Sequence, residues 1–145
     1  MNRLGVSLLG LCMLAACAST GGADRSELNV KFLEVYDGDT FYVDLVGLPD
    51  VMGKRLGIRI KGIDTPEIRT KSSCEKKLGY KAKEALESLM VGARKIELLE
   101  LERGKYFRLV ASVKADGKDV ASYLISKKLA RPYDGGTKGG KWCTE

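Results

Sequence analysis

Three features of the sequence predict a small α+β domain, mainly β-sheet with helices. Apolar and polar residues alternate with period two in five separate segments. One longer segment carries its apolar residues at helical spacing. Glycine-containing turns separate these segments, and 145 residues suit one domain better than two.

The elements follow in order. Val30, Phe32 and Val35 mark a first strand. Phe41, Val43 and Leu45 mark a second, with Tyr42 and Asp44 on its other face. Asp37-Gly38 lies between them, where a hairpin turn belongs. Gly47-Leu48-Pro49-Asp50 breaks the chain before a third strand, Leu56, Ile58 and Ile60, with Gly57, Arg59 and Lys61 opposite. From Glu75 to Val91 the apolar stripe is Leu78, Ala82, Ala85, Leu86, Leu89 and Met90, a helix that Gly79 weakens and Gly92 stops. Its lysines, Lys76, Lys77, Lys81 and Lys83, read as a solvated face. Ile96, Leu98 and Leu99 give a fourth strand. Phe107, Leu109, Ala111 and Val113 give a fifth, with Arg108 opposite, and Asp116-Gly117 turns the chain. Val120, Leu124 and Ile125 fit a short second helix, and the tail from Arg131 is rich in Gly and Lys with little periodicity. Three strands, a helix, two strands and a helix suit a five-stranded OB-type β-barrel, with a capping helix after strand three and a short helix after strand five.

The domain is predicted to occupy residues 28–145. Residues 1–16, MNRLGVSLLGLCMLAA, have one charge, Arg3, ahead of an apolar run too short to span a bilayer as a folded helix. Leu14-Ala15-Ala16-Cys17 resembles the bacterial lipoprotein signal, in which cleavage precedes a cysteine that is then lipidated. The alternative is an ordinary signal peptide cut near Ala16 or Ala18, giving a soluble secreted product. Residues 17–27 then form the lipidated N-terminus and a small, polar tether. The expected location is the cell envelope, with the membrane reached only through the lipid.

Composition narrows the chemistry. The formal charge of +6 favours a polyanionic partner, and the absence of His removes imidazole general bases and most zinc sites. Catalysis is left to carboxylates, Arg, Lys or Tyr. Of four Cys, Cys12 lies in the signal and Cys17 would carry lipid. Cys74 and Cys143 remain, an even pair whose default in an oxidising compartment is a disulfide, against the alternative of two free thiols. Nothing points to an oligomer, and a monomer is expected.

Three clusters stand out: Asp37-Gly38-Asp39-Thr40; Arg59 followed by Ile63-Asp64-Thr65-Pro66-Glu67; and Arg103-Gly104-Lys105-Tyr106-Phe107-Arg108. Together, in this order and spacing, they resemble the staphylococcal nuclease family, whose pattern is Asp-Gly-Asp-Thr, an Arg five residues before Asp-Thr-Pro-Glu, and a later Tyr-x-Arg. Asp116-Gly117-Lys118-Asp119-Val120 and Leu129-Ala130 match as well, so the resemblance covers roughly Val30 to Tyr133.

The resemblance implies a Ca²⁺-dependent nuclease acting on DNA, RNA or both. Asp39 and Asp64, hard oxygen donors from two chain segments, would hold the cation with the backbone carbonyl of Thr65, and Thr40 would stand behind them. Arg59 and Arg108 are planar, permanently charged, bidentate phosphate partners. Glu67 would orient or deprotonate the attacking water, Arg108 would stabilise the leaving oxygen, and Tyr106 and Lys105 would contact the substrate. Singly, each residue has a plainer reading: Asp37-Gly38 as a turn, Thr65-Pro66 as a strand end, the two Arg as solvated strand residues. A catalytically inactive OB-fold module that binds nucleic acid, or a structural envelope lipoprotein, are the competing functions.

Three departures from the family pattern are visible. Phe107 stands where the founding member has Gly, and its parity predicts a buried side chain. The loop from Val46 to Lys54 does not match, and the C-terminal helix of longer members is replaced by the tail ending in Trp142-Cys143.

Overall fold

The computed structural model describes residues 28–143. The expectations for residues 1–16 and 17–27, including lipidation of Cys17, lie outside the described residues. Within them the architecture is the OB-type α+β fold. β1 (Asn29–Val35) and β2 (Thr40–Val46) form an antiparallel hairpin, with Val30 opposite Leu45 and Phe32 opposite Val43. A register shift between Phe32 and Glu34 then sets Val35 opposite Phe41. β3 (Leu56–Ile60) adds antiparallel to β2, pairing Phe41 with Ile58 and Thr40 with Arg59.

The next neighbour of β3 is β6 (Leu109–Ala115), and that pairing is parallel. A parallel neighbour requires a crossover, which α2 (Ser73–Val91) and β5 (Ile96–Arg103) provide between them. β5 runs antiparallel to β6, so the sheet order is β1-β2-β3-β6-β5, and β5 also approaches β1.

The core follows the predicted alternation. Phe41, Val43, Ile58, Ile60, Ala111 and Val113 turn inward from the sheet and are all but inaccessible. Ala82, Leu86 and Met90 of α2 close one end, and Val120 and Leu124 of α3 (Val120–Ser126) join them. α2 begins at Ser73, two residues earlier than its apolar stripe suggests. The Ser72 hydroxyl caps it by accepting from the Glu75 amide at 3.3 Å, and Asp119 caps α3 from the Ser122 amide at 2.7 Å.

Gly79, read from sequence as a weak point of the helix, has a positive role. A Cβ there would lie 2.8 Å from the Pro66 carbonyl oxygen and 3.1 Å from the Glu67 carbonyl carbon. Only glycine lets α2 approach this loop so closely.

Several elements were not legible in the alternation. The loop after β2 holds a single helical turn, α1 (Asp50–Gly53), led by Pro49 at its N-cap. A two-residue strand, β7 (Lys118–Asp119), pairs with β6. β4 (Ile63–Asp64) pairs antiparallel with β8 (Arg131–Pro132), setting Asp64 opposite Arg131. The tail beyond β8 returns to α2, where Cys74 and Cys143 form the expected disulfide, with Cα atoms 6.3 Å apart.

The structure corrects the prediction for Phe107. It lies outside β6, is 95% exposed and has φ 58°, beside Tyr106 at φ 59°. The chain reverses there, with the Gly104 amide donating to the Arg108 carbonyl at 2.8 Å, and parity carries no information through a turn. Left-handed backbone at a non-glycine residue costs about 1–3 kcal/mol. Phe107→Gly is therefore expected to raise stability by roughly 1 kcal/mol, since strain relief exceeds the entropy that glycine adds to the unfolded chain. Urea denaturation checks this, and a lower midpoint at unchanged slope would contradict it.

Candidate active site

The turn after β1 carries the first acidic group. Tyr36 and Asp37 amides both donate to the Thr40 carbonyl, at 2.9 and 3.2 Å, and the Asp39 amide donates to the Asp37 carboxylate at 3.2 Å. This closes the hairpin with Asp39 and Thr40 buried. The cross-strand pairing of Thr40 with Arg59 then explains the next contact. Arg59 Nη1 lies 2.5 Å from Asp39 Oδ1, which also accepts from the Thr40 hydroxyl at 2.9 Å. The second terminal nitrogen of Arg59, Nη2, donates to the Ile63 carbonyl at 3.2 Å, linking the first acidic loop to the second.

Gly38 brings those loops together. A Cβ at this position would fall 2.8 Å from both the Thr65 hydroxyl oxygen and the Ala82 Cβ. Burial, followed by the charge of Asp39, pushes the Asp37 carboxyl up to about 6.

Asp64 is the most enclosed acid, 1% exposed. Its Oδ2 accepts from Arg131 Nη2 at 2.9 Å and from Nε at 3.2 Å. Its Oδ1 is buried without a hydrogen bond; Lys138 Nζ stands 3.1 Å away, close enough for an ion pair but without hydrogen-bond alignment. Lys138 also reaches Glu67 at 2.5 Å, and Glu67 is itself half exposed. Burial works to lower the Lys138 pKa, but the hydrogen bond to Glu67 and the negative charges of Glu67 and Asp64 outweigh it and hold it above its ordinary value. The Glu67 amide donates to Glu75 in the first turn of α2, which anchors the loop.

Arg108 lies across β3 at Gly57, where an added Cβ would meet its Cγ at 3.1 Å, and its guanidinium stands 5.8 Å from the Tyr106 ring centre. Gly57 and Arg59 share a strand face, so both predicted guanidinium groups belong to one side of the sheet.

One cavity of about 560 Å³ gathers most of the predicted residues. Asp39, Arg59, Thr65, Glu67, Lys105, Tyr106 and Arg108 all line it. Thr40 is buried behind Asp39. Asp64 does not line this cavity; it faces an adjoining recess of about 250 Å³, and Glu67 and Lys138 form the partition, lining both.

Sequence reasoning placed Trp142 and the tail here through the disulfide but did not single out Arg131, Tyr133 or Lys138. Arg131, Tyr133, Lys138 and Trp142 all border these two spaces. Arg131 is the hub of the tail: it pairs with Asp64, donates to the Gly139 and Gly140 carbonyls at 2.9 and 2.6 Å, and lies 4.2 Å from the Trp142 ring centre. The available signal was the disulfide partner Cys143, which had to bring the tail back past the acidic loop.

Among the described residues no group of three or more His, Cys, Asp or Glu converges as a ready-made metal cage. The donors that do exist suit a hard cation. Asp64, buried with one oxygen lacking any hydrogen bond, precedes Thr65 in the chain, and the buried Asp39 lines the same cavity as Thr65. A Ca²⁺ ion here would need water or substrate oxygens to complete its shell.

Comparisons with known proteins identify the family. The family model described as staphylococcal nuclease homologue matches residues 57–140. Asp37 to Thr40 precede the matched stretch, and their place in the site rests on the β2–β3 pairing. Two relatives from Bacillus subtilis (strain 168) are similar over 108 residues, 72% of this chain: "Endonuclease YncB" at 35% identity and "SPbeta prophage-derived endonuclease YokF" at 36%. The chain spans 47% and 34% of their lengths, so under half of each. A family match across more than half of the chain places it in the staphylococcal nuclease family.

Proposed function

We propose that this chain is a nuclease that hydrolyses phosphodiester bonds in DNA, RNA or both, with a bound Ca²⁺. The observation that carries the reading is the convergence of Arg59 and Arg108 with Asp39, Thr65 and Glu67 on one cavity. Asp39 and Asp64, with the Thr65 carbonyl, would hold the ion. When bound, it supplies Lewis-acid polarisation of the phosphate.

The remaining steps belong to the chain's own groups. Arg59 and Arg108 clamp the phosphate oxygens, and their fixed charges favour the pentacoordinate transition state over the less highly charged ground state. Asp39 aims Arg59 through their 2.5 Å contact. Glu67, half exposed at the cavity edge, orients the attacking water and accepts its proton. Arg108 stabilises the leaving oxygen, while Tyr106 and Lys105 contact the flanking nucleotide. Thr40 holds Asp39 in place. The protein acts as a monomer.

The test is turnover on single-stranded DNA. Arg59→Lys and Arg108→Lys each keep the charge and lose the bidentate fork, so kcat should fall about 100-fold with KM little changed. Asp64→Ala should remove activity. Near-normal turnover in both Lys variants would make these solvated strand residues, and tight DNA binding without cleavage by the unaltered chain would favour a binding module.

The segment MNRLGVSLLGLCMLAAC supports export and lipid attachment at Cys17 to the cell envelope. One acyl chain holds weakly, so several chains are implied. A Cys17→Ser protein is expected to leave the membrane fraction, as soluble product or uncleaved precursor. Unaltered protein already free in the soluble fraction would favour an ordinary signal peptide.

A further inference from the structure

We propose that a second pocket, on the other side of Asp37 and Glu67 from the catalytic cavity, is a nucleotide subsite that takes an unpaired base and its phosphate from the strand flanking the cut. The position of the cut rests on the nuclease reading above. The pocket has a volume of about 410 Å³, within the range of small-ligand sites, and Asp37 and Glu67 line both it and the catalytic cavity. A strand leaving the catalytic cavity past Glu67 enters it directly.

Its walls have the chemistry of a stacking platform. Tyr36, Tyr42 and Tyr80 line it, and Tyr36 and Tyr80 are 39% and 46% exposed, so ring surface faces the pocket and not the core. Tyr36 and Tyr42 meet edge to face with centres 6.2 Å apart, an arrangement that fixes both rings. Two guanidinium groups already lie over these rings: Arg55 4.6 Å from the centre of Tyr42, and Arg69 5.1 Å from the centre of Tyr36. A guanidinium plane on a tyrosine extends the flat surface that a base stacks on and points N–H donors at a phosphate.

The charges have separate tasks. Arg55 is paired with Glu34 and is held in place. Neither Arg69 nor Lys83 has an ion-pair partner among the described residues, so both cations are available to a phosphate at this end. Acidic and basic lining groups balance, so selectivity rests on stacking more than on overall field.

The substrates that test this are a dinucleoside monophosphate, too short to fill both pockets, and a single-stranded thymidylate 10-mer. Tyr36→Leu/Tyr80→Leu should lower kcat/KM on the 10-mer by roughly 10-fold or more and leave the dinucleotide rate unchanged. Arg69→Ala/Lys83→Ala, which removes no ring, is the second variant should the first fail to fold. Equal loss on both substrates, or no loss on the 10-mer, overturns the subsite. If the unaltered protein cuts neither substrate, the nuclease reading fails, and fluorescence anisotropy with a labelled 10-mer still decides the subsite. A Kd weakened by the same factor in the variants supports it; an unchanged Kd, or no binding at all, overturns it.

Discussion

Asp64 sits almost without exposure in the wall of the barrel, and a carboxylate there survives only if positive charge reaches it. Arg131 supplies that charge through two nitrogens on one oxygen, from β8, whose pairing with β4 sets Arg131 opposite Asp64. Removing one partner of a buried pair costs about 3–5 kcal/mol when the other charge is left uncompensated; at Asp64 the cost is smaller, since Lys138 Nζ stands 3.1 Å from its second oxygen. The return of the C-terminal tail, the placement of Lys138 and the edge of the cavity all follow from this pairing. The disulfide at the end of the tail acts in the same direction. It closes a separation of 69 residues, worth roughly 4 kcal/mol in the chain-entropy model.

The acidic loops are positioned by close approach as much as by hydrogen bonds. Gly38 packs on the Thr65 and Ala82 side chains, and Gly79 on the Pro66 and Glu67 backbone, so the two loops and α2 meet this closely because neither glycine carries a Cβ. Arg59 then ties the loops by holding Asp39 with one nitrogen and the Ile63 carbonyl with the other. A site whose groups are fixed by packing and by each other reorganises little when a charged ligand enters, which is the condition for electrostatic catalysis.

Much of this was legible in the residue pattern, and the reasons for the failures are physical. Period-two alternation located the five main strands because each has one face in the core. It was silent on β4, β7 and β8, which are two residues long and carry no period. Phe107 was misread because alternation was extended through a turn whose two aromatic residues adopt left-handed backbone. Asp39, Arg59, Thr65, Glu67 and Arg108 were identifiable as a set and are found together. Asp64, expected with them, lines an adjoining recess that shares Glu67 and Lys138 with that cavity. The Cys74–Cys143 pairing brought the basic tail back to the acidic loop, but Arg131 and Lys138 were not singled out, because a Gly- and Lys-rich tail carries no period that marks which side chains turn inward.

On the nuclease reading, the chain divides the work between fixed guanidinium groups, which the barrel supplies permanently, and a cation held by carboxylates from two loops. The sequence has no His, and among the described residues both Cys are joined in the disulfide, so neither is available to replace that cation's role. The most direct measurement is release of acid-soluble nucleotides from denatured DNA by the purified protein, in CaCl₂ and in EGTA. The expected result is release in CaCl₂, none in EGTA, and recovery when Ca²⁺ is added in excess of chelator. Full release in EGTA, or DNA binding in CaCl₂ with no release, would contradict it.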